Sequence, residues 1–251
     1  MDTWVLLLPI GLVLARVSGF FAMLPVFGHS MVPMIVRVGI ALTVAMFTAI
    51  MHPCPASLVA AGVHWLQATI WMLQEATLGL ALGLGVRLVF TAAQQGGFII
   101  AQQIGFTDAG VIDPVTGEEA DPIPQLTELL FILLFLAAGG HLLLIRMVVD
   151  SYQWFPPAAA PDLRALAGGV LDAGATMLLL ALKMAAPVLA AFLILASVLA
   201  VVARIMPEIN ILFESYPLRV GAGYMLAIGV VPTLDALLGE TAAWMQRAVA
   251  A

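Results

Sequence analysis

Apolar residues run in long unbroken stretches along this chain, and polar residues gather in a few short segments between them. A helix needs roughly 20 apolar residues to cross a bilayer. On that measure the pattern predicts helices over residues 3–27, 34–51, 63–90, 126–149, 171–206 and 209–245, about six spans in all. The run 98–104 is too short to span and predicts a short helix or a re-entrant piece. As one helix, 171–206 is about 54 Å long against a hydrocarbon core of about 30 Å. That excess predicts strong tilt, a kink at Pro187, or surroundings other than lipid.

Several charges sit inside or beside these runs: Arg16, Glu75, Lys183, Glu214 and Arg219. Each would cost about 2.5–3.5 kcal/mol at a bilayer centre even on the mildest scale. Such side chains face protein, a partner or a wet cavity. No loop carries a Lys/Arg cluster, so charge does not orient the chain. The stretch "ATLGLALGLGVRL" places Gly79 and Gly83 four apart, and likewise Ala81 and Gly85. Small residues at that spacing let helix backbones approach closely, either within the chain or against another subunit.

Composition sharpens the class. Of 251 residues, 63% are hydrophobic and 10% charged, where a soluble domain has roughly 45–50% and 25%. The chain is therefore predicted to be an integral membrane protein. The start, "MDTWVLLLPIGLVLARVSG", lacks a basic leader and predicts insertion through uncleaved segments. A net charge of −6 with nine Lys+Arg offers no basic surface for nucleic acid. The lone cysteine, Cys54, excludes an internal disulfide framework. There is no zinc-protease helix motif, nucleophile elbow or phosphate loop, and no cofactor motif. His29, His52, His64 and His141 are scattered, and His141 reads as a helix-borne polar residue.

Two polar segments stand out. Residues 102–125, "QQIGFTDAGVIDPVTGEEADPIPQ", hold five acids (Asp108, Asp113, Glu118, Glu119, Asp121) and no base. They lack the ligand spacing of a calcium loop, and their Asp-Pro, Thr-Gly and Pro-x-Pro steps are turn signals. Just upstream, "QQGGFIIAQQIGF" (94–106) alternates glutamine pairs, glycines and apolar residues. Non-helical backbone at membrane depth persists only where protein buries it or it lines a wet cavity, so a pore constriction or gate competes with a plain solvated loop. In the second segment, "ARIMPEINILFESYPLRV" (203–220), Arg204, Glu208 and Asn210 cluster around the helix break at Pro207. That cluster is either a hairpin corner or a contact with a partner or lumen.

The run from "QQIGFTDAGVIDPVTGEEADPIPQ" through "LTELLFILLFLAAGGHLLLIRMVVDSYQWFPP", together with "ARIMPEINILFESYPLRV", resembles the FliR family of flagellar biosynthesis and type III export-gate membrane proteins. The likeness in length and segment order covers nearly the whole chain; Glu208 departs from it where glutamine is usual. The resemblance implies an all-α, non-enzymatic subunit without cofactor or metal. Residues 1–165 correspond to a FliP-like part and 166–251 to a FliQ-like pair of long helices. It further implies assembly with FliP and FliQ, association with FlhB, and passage of exported flagellar proteins. The expected location is the bacterial inner membrane, with much of the complex raised towards the periplasm. In that family a loop at 102–125 contributes to a plug, a role carried here onto Phe106, Gly110, Val111, Ile112, Asp113, Pro114 and Gly117. For Arg204, Pro207, Glu208 and Asn210 the hairpin corner and the lumen or partner contact both stay open, Glu208 adding a carboxylate near Arg204. From the residues alone, a secondary transporter using Glu75 and Lys183 is the competing reading.

Overall fold

A computed structural model describes residues 3–25, 33–51, 64–105, 122–160, 162–206 and 211–250. The architecture is all-α. Among the described residues there are eight helices and no strand: α1 (Thr3–Met23), α2 (Met34–Met51), α3 (Trp65–Ile104), α4 (Pro122–Ala137), α5 (Gly140–Trp154), α6 (Leu163–Ile205), α7 (Ile211–Gly229) and α8 (Val231–Ala250).

The helices depart from the hydropathy pattern at four places, each with a local cause. Residues 98–104 are not a separate piece but the last turns of the 40-residue α3. The preceding Gly96 and Gly97 do not break that helix. A Cβ on Gly96 would lie 2.9 Å from the Met184 sulfur, and one on Gly97 2.9 Å from Cα of Pro124, so both glycines serve close packing. The expected single span 126–149 is two helices, α4 and α5, interrupted by a bend. The bend falls at Gly139, whose φ of 77° is a left-handed conformation open to glycine at little cost. The fifth segment extends further than expected, running unbroken from Leu163 to Ile205 through Pro187. The sixth divides at Val230 rather than at either proline: Pro217 lies within α7, and Pro232 occupies the first turn of α8, where a missing N–H costs no helical bond.

Among the described residues, α2, α3 and α6 are each long and apolar enough to cross a membrane, and counting the α4–α5 pair as one broken span makes up to four. The chain is a multi-pass membrane protein. Its outward faces are strongly apolar: Ile35 is 85% exposed on α2 and Leu171 74% on α6. Such faces call for lipid or other subunits rather than water.

Two compact units interleave along the chain. One takes Met1–Val89, Gly139–Gly174 and Ala242–Ala251; the other takes Phe90–Ala138 and Ala175–Thr241. In the first, α1 packs on α2 and on the front half of α3, burying Val13, Val17, Phe20 and Leu24. In the second, Phe90 meets Phe131 and Phe135 edge-on, with centroids 5.3 and 4.7 Å apart, and Met184 and Phe192 are also buried. Edge-to-face pairing of this kind adds to the area the rings bury.

Candidate functional site

The densest polar chemistry in the first unit surrounds Arg16. Its neighbours on the same face of α1, Val13, Val17 and Phe20, are core, and Arg16 itself is 1% exposed. The guanidinium donates through Nε to Glu75 Oε2 at 2.6 Å, through Nη1 to Ser151 Oγ at 3.2 Å and through Nη2 to the Phe155 carbonyl at 2.8 Å. Its carbon lies 4.0 Å from the centre of the Tyr152 ring, a cation–π contact. Tyr152 in turn donates its hydroxyl to the Val13 carbonyl at 3.4 Å.

Glu75, on α3, is also fully buried. Its second oxygen accepts the Ala158 backbone N–H at 2.9 Å. Ala158 has φ 64°, unusual for a residue with a Cβ. Both members of the ion pair thus hold the same connection, residues 155–158, between α5 and α6. A buried ion pair recovers its desolvation cost only when its remaining donors and acceptors are also bonded. Arg16 and Glu75 meet that condition through Ser151, Phe155 and Ala158.

The glycines of α3 make this approach possible. A Cβ on Gly79 would collide with the Arg16 carbonyl oxygen and lie 2.8 Å from its carbonyl carbon. One on Gly83 would lie 2.6 Å from the Phe20 carbonyl oxygen. Gly85 faces Trp244 and Ala173 at ordinary contact distances. Ala81 and Gly85 line a cavity of about 420 Å³ together with Phe155, Gly168 and Trp244. There the Trp244 indole donates to Asp172 at 3.0 Å.

The second unit holds Lys183, within the long apolar run of α6. Lys183 Nζ lies 2.8 and 2.7 Å from the two oxygens of Glu240, with both side chains about half exposed. Glu75 and Lys183, which a transporter reading would use as binding groups, therefore each have an ion-pair partner within their own unit.

Phe106, Gly110, Val111, Ile112, Asp113, Pro114 and Gly117, expected from the resemblance to form a plug, lie outside the described residues, but the segments flanking them are described. Upstream, α3 stops at Gly105, whose φ is 88° and whose N–H reaches the Ala101 carbonyl at 3.1 Å. This is the glycine stop common at helix C-termini. Ile104 is buried, and Gly223 of α7 leaves it room. Downstream, the Thr127 hydroxyl lies within 3.1 Å of the Ala93, Ile123 and Pro124 carbonyls. Gly97 opens space for Thr127 and Pro124, clamping α4 to α3.

Of the helix-break cluster, Arg204 is exposed in the last turn of α6, where a cation complements the helix dipole. Pro207, Glu208 and Asn210 lie outside the described residues. His64 precedes α3 and accepts the Leu66 N–H at 3.4 Å, while His141 is exposed near the start of α5. Sequence reasoning flagged Arg16, Glu75 and Lys183 but missed Ser151, Tyr152, Ala158 and Glu240. The available signal was the polar "DSYQWFPP" between two apolar runs.

Comparison with known proteins matches residues 7–243 to the family of bacterial export proteins, family 1. Among similar proteins, the flagellar biosynthetic protein FliR of Bacillus subtilis (strain 168) is 32% identical over 220 residues, covering 86% of this chain and 83% of that protein. FliR of Escherichia coli (strain K12) is 28% identical over 222 residues, 88% of this chain and 83% of the relative. The Yop proteins translocation protein T of Yersinia pestis is 26% identical over 227 residues, with coverage of 88% and 85%.

Proposed function

Because the chain belongs to the bacterial export proteins of family 1, the family of the FliR proteins, we propose that it is a structural and gating subunit of a flagellar type III export gate. It helps to form and close the central conduit for unfolded flagellar proteins. The match over residues 7–243 carries this reading. The relatives named for flagellar biosynthesis, at up to 32% identity, favour the flagellar system over the Yop protein translocation named in the Yersinia relatives at 26%.

In this proposal, residues 1–165 form a FliP-like part and residues 166–251 a FliQ-like pair of long helices. The subunit assembles with FliP and FliQ, associates with FlhB, and sits in the bacterial inner membrane with its complex raised towards the periplasm. Arg204, Pro207, Glu208 and Asn210 contact the lumen or a partner. The protein supplies shape rather than catalysis.

The plug is the segment from Phe106 to Gly117. Phe106, Val111 and Ile112 make a dry constriction, Gly110 and Gly117 let the backbone turn, and Pro114 restricts it. Asp113 faces water. The firm flanks, Gly105 against α7 and Thr127 against α3, support this assignment because they give a short closing segment two fixed anchors. Closed and open packings need differ by only a few kcal/mol.

Deleting part of 106–117 in the complex co-expressed with its partners should let small ions leak across the membrane. Conductance or dye-uptake measurements read the leak. A tight membrane with normally assembled complex overturns the plug role.

A further inference from the structure

We propose that the first turns of α6, residues 163–170, form a flap over the cavity beside Gly85, and that Glu75 latches it shut by holding the Ala158 peptide in an orientation that alanine disfavours. The latch needs only the geometry of the first unit, which contains all of its parts, and stands apart from the export-gate reading.

The start of α6 is tied down at its two ends and not between them. Leu166 and Gly168 line the cavity of about 420 Å³ from α6, and Leu82 and Gly85 line it from α3. Of residues 163–170, only Leu166 and Val170 are half-buried, and the rest are exposed. A Cβ placed on Gly168 or Gly169 meets nothing within 4 Å. A segment with so few buried contacts opens locally at low cost. Its far end is held where the Trp244 indole donates to Asp172 at 3.0 Å and where buried Ala173 packs against Gly85. Its near end is held through the connection from α5, where Arg16 takes the Phe155 carbonyl at 2.8 Å and Glu75 takes the Ala158 N–H at 2.9 Å.

That near tie is a two-state element. The Ala159 N–H reaches the Pro156 carbonyl at 3.1 Å, closing a four-residue turn. Pro157 stands at its second position, and Ala158, with φ 64°, at its third. These are the marks of a type II turn, whose third position calls for glycine or asparagine. A Cβ there is strained. Rotating the Pro157–Ala158 peptide by about half a turn gives a type I turn, in which alanine takes an ordinary negative φ. The same rotation carries the Ala158 N–H away from Glu75 and brings the Pro157 carbonyl towards it. An ionised carboxylate only accepts hydrogen bonds, so Glu75 favours the first orientation and opposes the second. It does so from a fully buried position, fixed by Arg16 at 2.6 Å. One charge-assisted hydrogen bond thus works against local backbone strain, and the flap follows whichever prevails.

Two rates test the latch in the full chain, purified with whatever subunits it retains. Hydrogen exchange of the Ala158 amide reads the peptide orientation. Labelling of a Leu82→Cys variant by a thiol reagent, in a Cys54→Ser background, reads access beneath the flap. Ala158→Gly relieves the strain of the latched turn and should slow both rates about fivefold. Ala158→Val puts a β-branched residue at positive φ and should speed both about tenfold. Arg16→Met/Glu75→Met, which has no latch, should match Ala158→Val. Exchange that neither change at Ala158 alters overturns the latch. Exchange that responds while labelling at Leu82→Cys stays constant overturns the flap. Leu144→Cys, at a fully buried site, should stay unlabelled throughout. If Ala158→Val exposes it, that variant has unfolded the unit, and Ala158→Gly, which adds no bulk, decides alone: no slowing overturns the proposal.

Discussion

Replacing Arg16 alone by methionine should destabilise the protein by about 3–5 kcal/mol, whereas the Arg16→Met/Glu75→Met double change should cost much less than the two single changes added together. The single change strands the Glu75 carboxylate in the core with only the Ala158 N–H to satisfy it. Removing both partners removes both charges, and buried ion pairs replaced by apolar residues of similar volume are often neutral or better. Here some loss should remain, because the Phe155 carbonyl and the Ala158 N–H each lose a partner in the double variant. Arg16→Lys should not rescue. A lysine ammonium lacks the planar fork that serves Glu75, Ser151 and Phe155 together while lying over Tyr152. Thermal unfolding of the purified complex checks the series. Strictly additive single and double values would mean that the pair is not coupled as its geometry states.

The same centre marks how far the sequence could be read. The helical runs, the membrane class and the misplaced charges were legible, because long apolar stretches and isolated ionisable residues are local features. What each charge meets was not. Arg16 and Glu75 are 59 positions apart and Arg16 and Ser151 are 135 apart, and α1 is apolar on every side, so no polar face pointed to the side that Arg16 shares with the core. Breaks were misread for a related reason. Glycine serves both turns and close packing, and only three-dimensional neighbours separate the two. Gly139 turns the chain, whereas Gly96 and Gly97 admit Met184 and Pro124 into a helix that continues. Proline was equally ambiguous: Pro187 and Pro217 remain inside helices, and the division of the last segment falls at Val230 instead. The plug assignment at 106–117 came from family resemblance, and the glycines and acids of that segment made it physically coherent without specifying it.

Gly79→Ala should be the most damaging single-methyl addition on α3. Gly83→Ala should come next, Gly85→Ala should be mild, and Gly174→Ala on α6 should be neutral or stabilising. The order follows from what each new Cβ meets. At Gly79 it strikes main-chain atoms of Arg16 and lies 3.0 Å from the Phe20 nitrogen, none of which can swing aside as a side chain could. At Gly83 it meets the Phe20 carbonyl oxygen at 2.6 Å and Met23 Cβ at 2.9 Å. At Gly85 the nearest atom is a Trp244 ring carbon at 3.4 Å, and at Gly174 nothing lies within 4 Å. Overpacking of this kind costs about 1–3 kcal/mol or more, while alanine for glycine in an open helix interior gains up to about 1 kcal/mol. Gly79 has a second consequence. It lies one turn beyond Glu75 on α3, so the backbone it admits belongs to the residue whose side chain Glu75 binds. Pushing α1 away at Gly79 therefore also draws the guanidinium off Glu75, and the loss should exceed that of a steric clash alone. In an Arg16→Met/Glu75→Met background the Gly79→Ala penalty should shrink towards that of Gly83→Ala. Thermal unfolding of the four combinations measures the difference, and an unchanged Gly79→Ala penalty would show that close approach and ion pairing are independent.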